Sequence, residues 1–384
     1  MKLTDLKTTD ERLDLLEKTA KIFLDRAREH DENGSFPFEN FADLKKINYP
    51  ALAIPKEYGG VGISLYEMVK MQETIAKYDG STALSIGWHM GITKHTGETN
   101  AWDQETYEAF AKDVVKNGTL LNNAATEPAT GSPTRGGKPE TVAKETENGW
   151  VITGRKSFTT LAPILDYIAV SASIDGTDKV GSFLVRRGLE GVTVEETWDS
   201  IAMKATGSHD LVLENVKLKK QDLLMHITPG DKGAQGWLLH IPACYLGIAK
   251  AAQKYAIDFA ATYSPSSIKG TISEIPAVRQ KIGEMELRVL EASTFLYSTA
   301  KKWDEGDEDT RNAMKAELGA VKLSVVNKAL EIVDLAMRIV GARSLSAKCP
   351  LQRYYRDVRA GLHNPPMDDM TIMGLASSAI QKHT

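Results

Sequence analysis

Apolar positions recur at helical spacing through the first third of the chain. Leu13, Leu16, Ala20, Phe23, Leu24 and Ala27 share one face. They predict a single helix that ends at Asp31-Glu32-Asn33-Gly34, with the glycine as its C-terminal cap. A short helix follows over 41–46. Then come Ala53-Ile54-Pro55 and a glycine-rich turn, Tyr58-Gly59-Gly60-Val61-Gly62. Ser64 and Glu67 have the spacing of a capping box and open a helix that runs to about Tyr78. Asp79-Gly80-Ser81 breaks it. A largely apolar helix over 82–96 carries Trp88, His89 and His95.

From about Thr119 the pattern shortens to β-like runs, at 120–125, 141–146, 150–153, 156–159, 167–173, 182–186, 192–196 and 211–218. Glu147-Asn148-Gly149 places an Asn-Gly turn signal between two of them. Many short strands with tight turns predict an antiparallel sandwich or barrel rather than βαβ units. Past Gly233 the helical period returns. Val278, Ile282, Met285, Val289, Ala292 and Leu296 step by four and three, as do Leu318, Val321, Val325, Ala329, Ile332, Ala336 and Ile339. Such stripes bury against one another in a bundle, which is also a ready surface for self-association. The predicted organisation is an α+β chain in three parts: helical over 1–118, β over 119–232 and helical again over 233–384.

Composition narrows the classes of function. The 384 residues include 47 Lys and Arg against 51 Asp and Glu, a net charge of -4 with no basic block, which argues against nucleic acid as a partner. The polar start MKLTDLKTTDERLDLL lacks the pattern of a signal peptide, and no apolar run has the length of a membrane span. A cytoplasmic enzyme without a membrane partner is expected. Cys244 and Cys349 lie far apart, and the eight histidines are scattered without ligand spacing, so neither a disulfide scaffold nor a metal site is expected. No GxGxxG follows a strand. The run Gly131 to Pro139 misses the glycine spacing of a phosphate loop and has Pro139 where Ser or Thr would bind magnesium. HExxH and GxSxG are absent.

Four segments, in order, carry a resemblance. They are Ile54-Pro55-Lys56-Glu57-Tyr58-Gly59-Gly60-Val61-Gly62, Ala125-Thr126-Glu127-Pro128-Ala129-Thr130-Gly131-Ser132, Gly149 to Thr160, and Ile201-Ala202-Met203-Lys204-Ala205-Thr206-Gly207-Ser208. With the helix–strand–helix layout they resemble the acyl-CoA dehydrogenase family. The resemblance implies an N-terminal helical domain, a middle antiparallel β domain and a C-terminal four-helix bundle. It also implies a homotetramer, a role in fatty acid metabolism, and a flavin held between the β domain and the C-terminal helices. FAD is the implied cofactor. Asn123, Ala125 and Thr126 would face its isoalloxazine ring, Gly131 and Ser132 its phosphates, Phe158 the ring's apolar side and Thr160 its N5. Trp88 and Ser132 would meet the substrate. The plainer reading makes Thr126 to Ser132 a loop and Phe158 a core residue.

The departures from the family pattern bear on chemistry. Dehydrogenation of a thioester needs a base for the α-proton while the β-hydride passes to flavin N5. In most members a Glu follows the C-terminal Arg-Asp pair. Here Arg356-Asp357 leads to Gly361-Leu362-His363-Asn364-Pro365-Pro366, without Glu. A minority place it at the start of the first C-terminal helix, where this chain has Gly236-Trp237-Leu238-Leu239-His240. No Arg between Tyr255 and Ile268 matches the one that meets the pyrophosphate, and Gly341-Ala342-Arg343-Ser344 replaces a glycine pair, which weakens the case for FAD relative to FMN. The stretch Leu351 to Asp357 with His363-Asn364-Pro365 is similar to another branch, the two-component flavin monooxygenases, which take reduced flavin from a partner reductase. His363 is then the first catalytic candidate, since an imidazole titrates near neutrality. His89 is the second. Asp369, beside Asp368, is a substitute carboxylate, although two acids there also suit the first turn of a helix.

Three functions follow. The first choice is acyl-CoA dehydrogenation with electrons passed to an electron-transfer flavoprotein. Another is oxygenation with reduced flavin from a flavin reductase. The last is a non-catalytic scaffold of the same fold.

Overall fold

The computed structural model describes residues 1–129, 137–228 and 233–383. The helix predicted over Leu13 to Ala27 is two, α1 (Thr9–Ala20) and α2 (Phe23–Asn33). The turn between them keeps Phe23 and Ala27 in the core and rotates Leu24 outward, to 40% exposure. Gly34 closes α2 in the left-handed region at φ 63, its N–H donating to the His30 carbonyl. After α3 (Phe38–Lys46) comes α4 (Leu65–Ala76). Ser64 caps α4 as expected, accepting from the Glu67 N–H at 3.1 Å. The Glu67 carboxylate is used elsewhere: it takes the buried Arg12 guanidinium at 2.5 and 3.0 Å, tying α1 to α4. Asp79 does not merely break the chain. Its carboxylate accepts from the N–H groups of Ser81 and Thr82 and starts α5 (Gly80–Thr99), and α6 (Gln104–Asn117) follows.

The middle of the chain forms one sheet of β1 (Leu121–Ala124), β2 (Val142–Thr146), β3 (Gly149–Thr159), β4 (Tyr167–Ile174), β5 (Val180–Arg186), β6 (Val192–Glu195), β7 (His209–Leu218) and β8 (Leu223–Ile227). The order is β6-β7-β3-β2-β4-β5-β8, with β1 added on β4. The β1–β4 and β2–β4 pairs are parallel and the others antiparallel. The runs 150–153 and 156–159 are one strand whose register against β7 shifts twice. Gly154 sits at the first irregularity because a Cβ there would lie 2.4 Å from Thr141 Oγ1. The short half-exposed β8 escaped the sequence pattern.

The C-terminal part contains α7 (His240–Thr262), α8 (Pro276–Glu305), the short α9 (Glu308–Ala313), α10 (Lys315–Val340), α11 (Pro350–Ala360) and α12 (Asp368–Gln381). The predicted stripes of α8 and α10 are largely buried, with Met285, Ala292, Leu296, Val325, Ala329 and Ile332 fully inside. α7 packs against α4 as well as α10, so the first helical part and the bundle share a core. The crossing is close: a Cβ on Gly247 would lie 2.5 Å from the Glu73 carbonyl oxygen. α12 is different, leaving Ile372, Met373 and Ile380 exposed. Among the described residues no helix is long and apolar enough to cross a membrane.

Candidate functional site

The end of β1 and the end of β3 are held side by side. Asn122 on β1 donates through Nδ2 to the Thr160 carbonyl at 2.8 Å, and the Ser157 N–H donates to the Thr126 carbonyl at 2.9 Å. The structure thus brings together Asn123, Ala125, Thr126, Phe158 and Thr160. The backbone is bent sharply here. Phe158 and Leu161 have φ of 55 and 69, a conformation unfavourable for any residue with a Cβ. The bend turns the Phe158 ring out of the sheet to 64% exposure, edge-on to Trp198 at 5.9 Å. Phe158 is therefore no core residue.

Behind this edge, Glu127 is buried against the Lys156 ammonium at 2.5 Å and accepts from the N–H groups of Glu140 and Thr141. Burial pushes its carboxyl up, but the hydrogen bonds from Lys156, Thr141 and Glu140 outweigh it and hold it well below the ordinary range, at about 2. Glu127 is an anchor for the turn after β1. Gly131 and Ser132 lie outside the described residues.

The loop from Ile201 to Ser208 closes the other side. Met203 has φ 52, and its N–H donates to Asp357 Oδ1 at 2.7 Å. Arg356 donates to both carboxylate oxygens of Asp31 on α2, at 3.0 and 2.5 Å, and to the Ile201 carbonyl. The Arg-Asp pair of α11 therefore binds all three parts of the chain together. Burial drives the Asp357 carboxyl up to about 7, against the Met203 N–H and Arg353, which lower it. Thr160 Oγ1 lies 2.9 Å from Ser208 Oγ, within the same loop.

Beyond α11 the chain turns at Gly361–His363. His363 is exposed. Its neighbour Asn364 is pinned: Tyr245 on α7, itself fully buried, donates to Asn364 Oδ1 at 2.5 Å. The other end of the turn is held by Lys322 of α10, 3.2 Å from Asp368 Oδ1. Asp369 is exposed and accepts the Met370 N–H at 2.9 Å, so it serves the first turn of α12. That place gives no support to Asp369 as a substitute base.

His89 has a different place from that of an acid–base group. It is fully buried, and the Leu121 N–H donates to its Nδ1 at 3.0 Å. Nδ1 is thus an acceptor, and Nε2 carries the proton toward the Pro50 carbonyl at 3.3 Å. Burial lowers its pKa to about 4. Both nitrogens are spent on backbone groups, so the ring is a neutral pin between α5 and β1.

The neighbouring Trp88 is half-buried and meets His240 and Trp237 edge-on, at 4.9 and 5.9 Å. Sequence reasoning passed over His240. It is fully buried against Gly87 and Gly91, and neither ring nitrogen has a partner among the described residues. Burial lowers its pKa to about 3, so it too is neutral. Its signal lies in the sequence, since it is the titratable residue of the stretch 236–240 that lacks a Glu. Trp88 and His240 define an aromatic face where α5 crosses the start of α7.

Comparison with known proteins places this arrangement. Sequence models of the acyl-CoA dehydrogenase N-terminal, middle and C-terminal domains match residues 10–99, 122–216 and 239–364. The chain belongs to the acyl-CoA dehydrogenase family. The protein YdbM of Bacillus subtilis (strain 168), whose name places it provisionally among acyl-CoA dehydrogenases, is 50% identical over 377 residues, covering 97% of this chain and 98% of that one. A 3-(aryl)acrylate reductase of Clostridium sporogenes (strain ATCC 15579) is 29% identical over 91% of this chain and 93% of its own. Among solved structures, KijD3 in complex with FMN and a dTDP-amino sugar is 25% identical, with a TM-score of 0.86 over 98% of this chain and 95% of that one. Butyryl-CoA dehydrogenase from Megasphaera elsdenii shares the fold at 20% identity, with a TM-score of 0.83 over 98% and 99% of the two chains.

Proposed function

We propose that the chain is a flavin-dependent oxidoreductase. The flavin ring would lie along the edge formed by Asn123 to Thr126, Phe158 and Thr160. That edge fits the group chemically. An aromatic ring stands out into solvent at the cost of a left-handed backbone, and hydroxyls and main-chain groups flank it. The buried Ser157 Oγ beside Thr126 has no partner among the described residues, which is the kind of orphan a bound polar ring system satisfies. When bound, the flavin supplies two-electron chemistry. The chain supplies orientation and hydrogen bonds.

Of the two chemistries, we infer the one that uses reduced flavin and oxygen. The observation that carries it is the anchored turn at 361–366, which presents His363 and no carboxylate where the family's base would stand. The aromatic face of Trp88, Trp237 and His240 occupies the alternative place. A flavin reductase is then the electron source, and FMN, which KijD3 binds, is the favoured cofactor. Acyl-CoA dehydrogenation is the second reading, favoured by family membership along the whole chain and by the name of the 50% identical relative. The exposed apolar residues of α12 and of α8, Leu287 and Leu290, support assembly as a homotetramer.

The deciding experiment is anaerobic. The flavin-loaded protein is mixed with a panel of acyl-CoA thioesters and its absorbance followed. No bleaching with any thioester, together with oxygen-dependent turnover of reduced flavin, is expected. Bleaching by a thioester overturns the first reading in favour of the second.

A further inference from the structure

Three buried hydroxyls run in line from the candidate flavin edge into the body of the protein. Thr160 Oγ1 is 2.9 Å from Ser208 Oγ, which is 2.8 Å from Thr206 Oγ1, which is 3.0 Å from the Met203 carbonyl oxygen. All three side chains are buried. The order of their protons can be worked out. A hydroxyl has one proton to give, and a carbonyl oxygen has none. The Met203 end is fixed in place by the Asp357 carboxyl group on its N–H, and its carbonyl also takes the Trp198 Nε1–H at 3.1 Å and the Thr206 N–H at 3.2 Å.

Thr206 must be the donor to that carbonyl. Its proton is then committed, so the Thr206–Ser208 bond uses the proton of Ser208. That in turn leaves Thr160 as the donor to Ser208. All three protons point inward, and Thr160 turns a lone pair, not a proton, toward the open side. The reverse order makes one protein hydrogen bond fewer, because Thr206 then abandons Met203.

This inference rests on the reading that Thr160 faces flavin N5, and it adds which redox form the site is built for. N5 of an oxidised flavin has a lone pair and calls for a donor. N5 of a reduced flavin carries a proton and calls for an acceptor. The geometry points to a site matched to reduced flavin, with Ser208 and Thr206 as positioning residues that set the polarity of Thr160. Serving the oxidised form requires at least that Thr160 turn its proton outward and give up its hydrogen bond to Ser208. A difference of one hydrogen bond corresponds to a preference on the order of tenfold.

The test measures the dissociation constants of FMN and FAD, each oxidised and chemically reduced under anaerobic conditions, by quenching of protein fluorescence. Ser208→Ala removes the acceptor of the Thr160 proton, and Thr206→Val removes the acceptor of the Ser208 proton, so that Ser208 can donate to Thr160 instead; each frees the Thr160 proton to point outward. The ratio of oxidised to reduced dissociation constants is expected to fall on the order of tenfold in both variants. Thr206→Ser keeps the hydroxyl and is expected to keep the wild-type ratio, which separates proton order from packing. An unchanged ratio in both deletion variants overturns the inference and leaves the flavin reading intact. Failure of the wild type to bind either form overturns the flavin reading, and the inference with it.

Discussion

Replacing His89 by Phe tests the division between pins and chemistry. The ring volume is kept and both nitrogens are lost. Two buried backbone groups, the Leu121 N–H and the Pro50 carbonyl, are then left without their partner. An unpaired buried backbone group costs about 1–3 kcal/mol, so the pair is expected to cost roughly 3 kcal/mol of unfolding free energy near neutral pH. The pH dependence sharpens the test. Burial holds the folded pKa of His89 at about 4 against an ordinary 6.5. A depressed folded pKa favours the neutral ring, so its contribution is complete above the ordinary value and is lost as pH falls toward the folded one. The difference corresponds to about 3 kcal/mol. The gap between wild type and His89→Phe is therefore expected to be wide at about pH 7.5 and nearly closed at about pH 4.5. Urea unfolding followed by tryptophan fluorescence at both pH values reads it directly. A variant of wild-type stability with turnover abolished would refute the pin and restore His89 to the chemistry.

Phe158→Gly removes an exposed ring from a left-handed backbone, so it is expected to raise thermal stability by about 1 kcal/mol while weakening flavin affinity; a calorimetric scan and a flavin titration measure the two effects, and unchanged affinity sinks the proposed contact. Lys156→Met strands the buried Glu127 carboxylate and is expected to cost about 3–5 kcal/mol in urea unfolding, with recovery when Glu127→Gln is added; equal stability of the single and double variants would contradict the buried pair. Asp357 has a folded pKa raised from 3.8 to about 7, chiefly by burial, so its neutral form is favoured and wild-type stability drains away as pH rises through that window. Asp357→Asn keeps an acceptor for Met203 without the charge, and its unfolding midpoint is expected to gain on wild type between about pH 4 and about pH 7; parallel profiles would argue against the buried carboxyl.

Much of this arrangement was legible in the sequence because it follows from local periodicity. The helices capped by Ser64 and ended by Gly34 are set by neighbours within one turn. The long stripes of α8 and α10 follow from apolar spacing alone. What was not legible depends on distant partners. Glu67 reads as half of a capping box, but its carboxylate is claimed by Arg12, 55 residues away. The parallel pairs of β4 with β1 and β2 join strands that no turn connects, so alternation gives no hint of their direction. At the site, the grouping of Asn123 to Thr126 with Phe158 and Thr160 was carried by resemblance. The placement of His89 was not, because a histidine on an apolar helix looks the same whether its nitrogens meet substrate or backbone. His240 is the converse case: its segment stands out by the Glu it lacks rather than by the imidazole it holds.

The contacts that hold the family fold and the positions that would carry its chemistry are separate in this chain. Glu127 and Lys156 sit in segments that carry the family resemblance and Arg356 and Asp357 form the C-terminal Arg-Asp pair, and each is buried or paired in a contact that fixes one segment against another. None of them needs to touch a substrate. The two places where the family's base would stand are a turn at 361–366, exposed at His363, and the aromatic start of α7, and neither holds a carboxylate. At the exposed turn, a Glu would leave no buried partner uncompensated when lost, so its removal there would cost the fold little. The reaction can therefore change while every anchor stays, and whole-chain similarity to acyl-CoA dehydrogenases fixes the scaffold without fixing the base. The line of hydroxyls behind Thr160 belongs to neither class. It is buried like an anchor, yet its proton order faces the site, and there a small change in the scaffold is expressed as a choice between oxidised and reduced flavin.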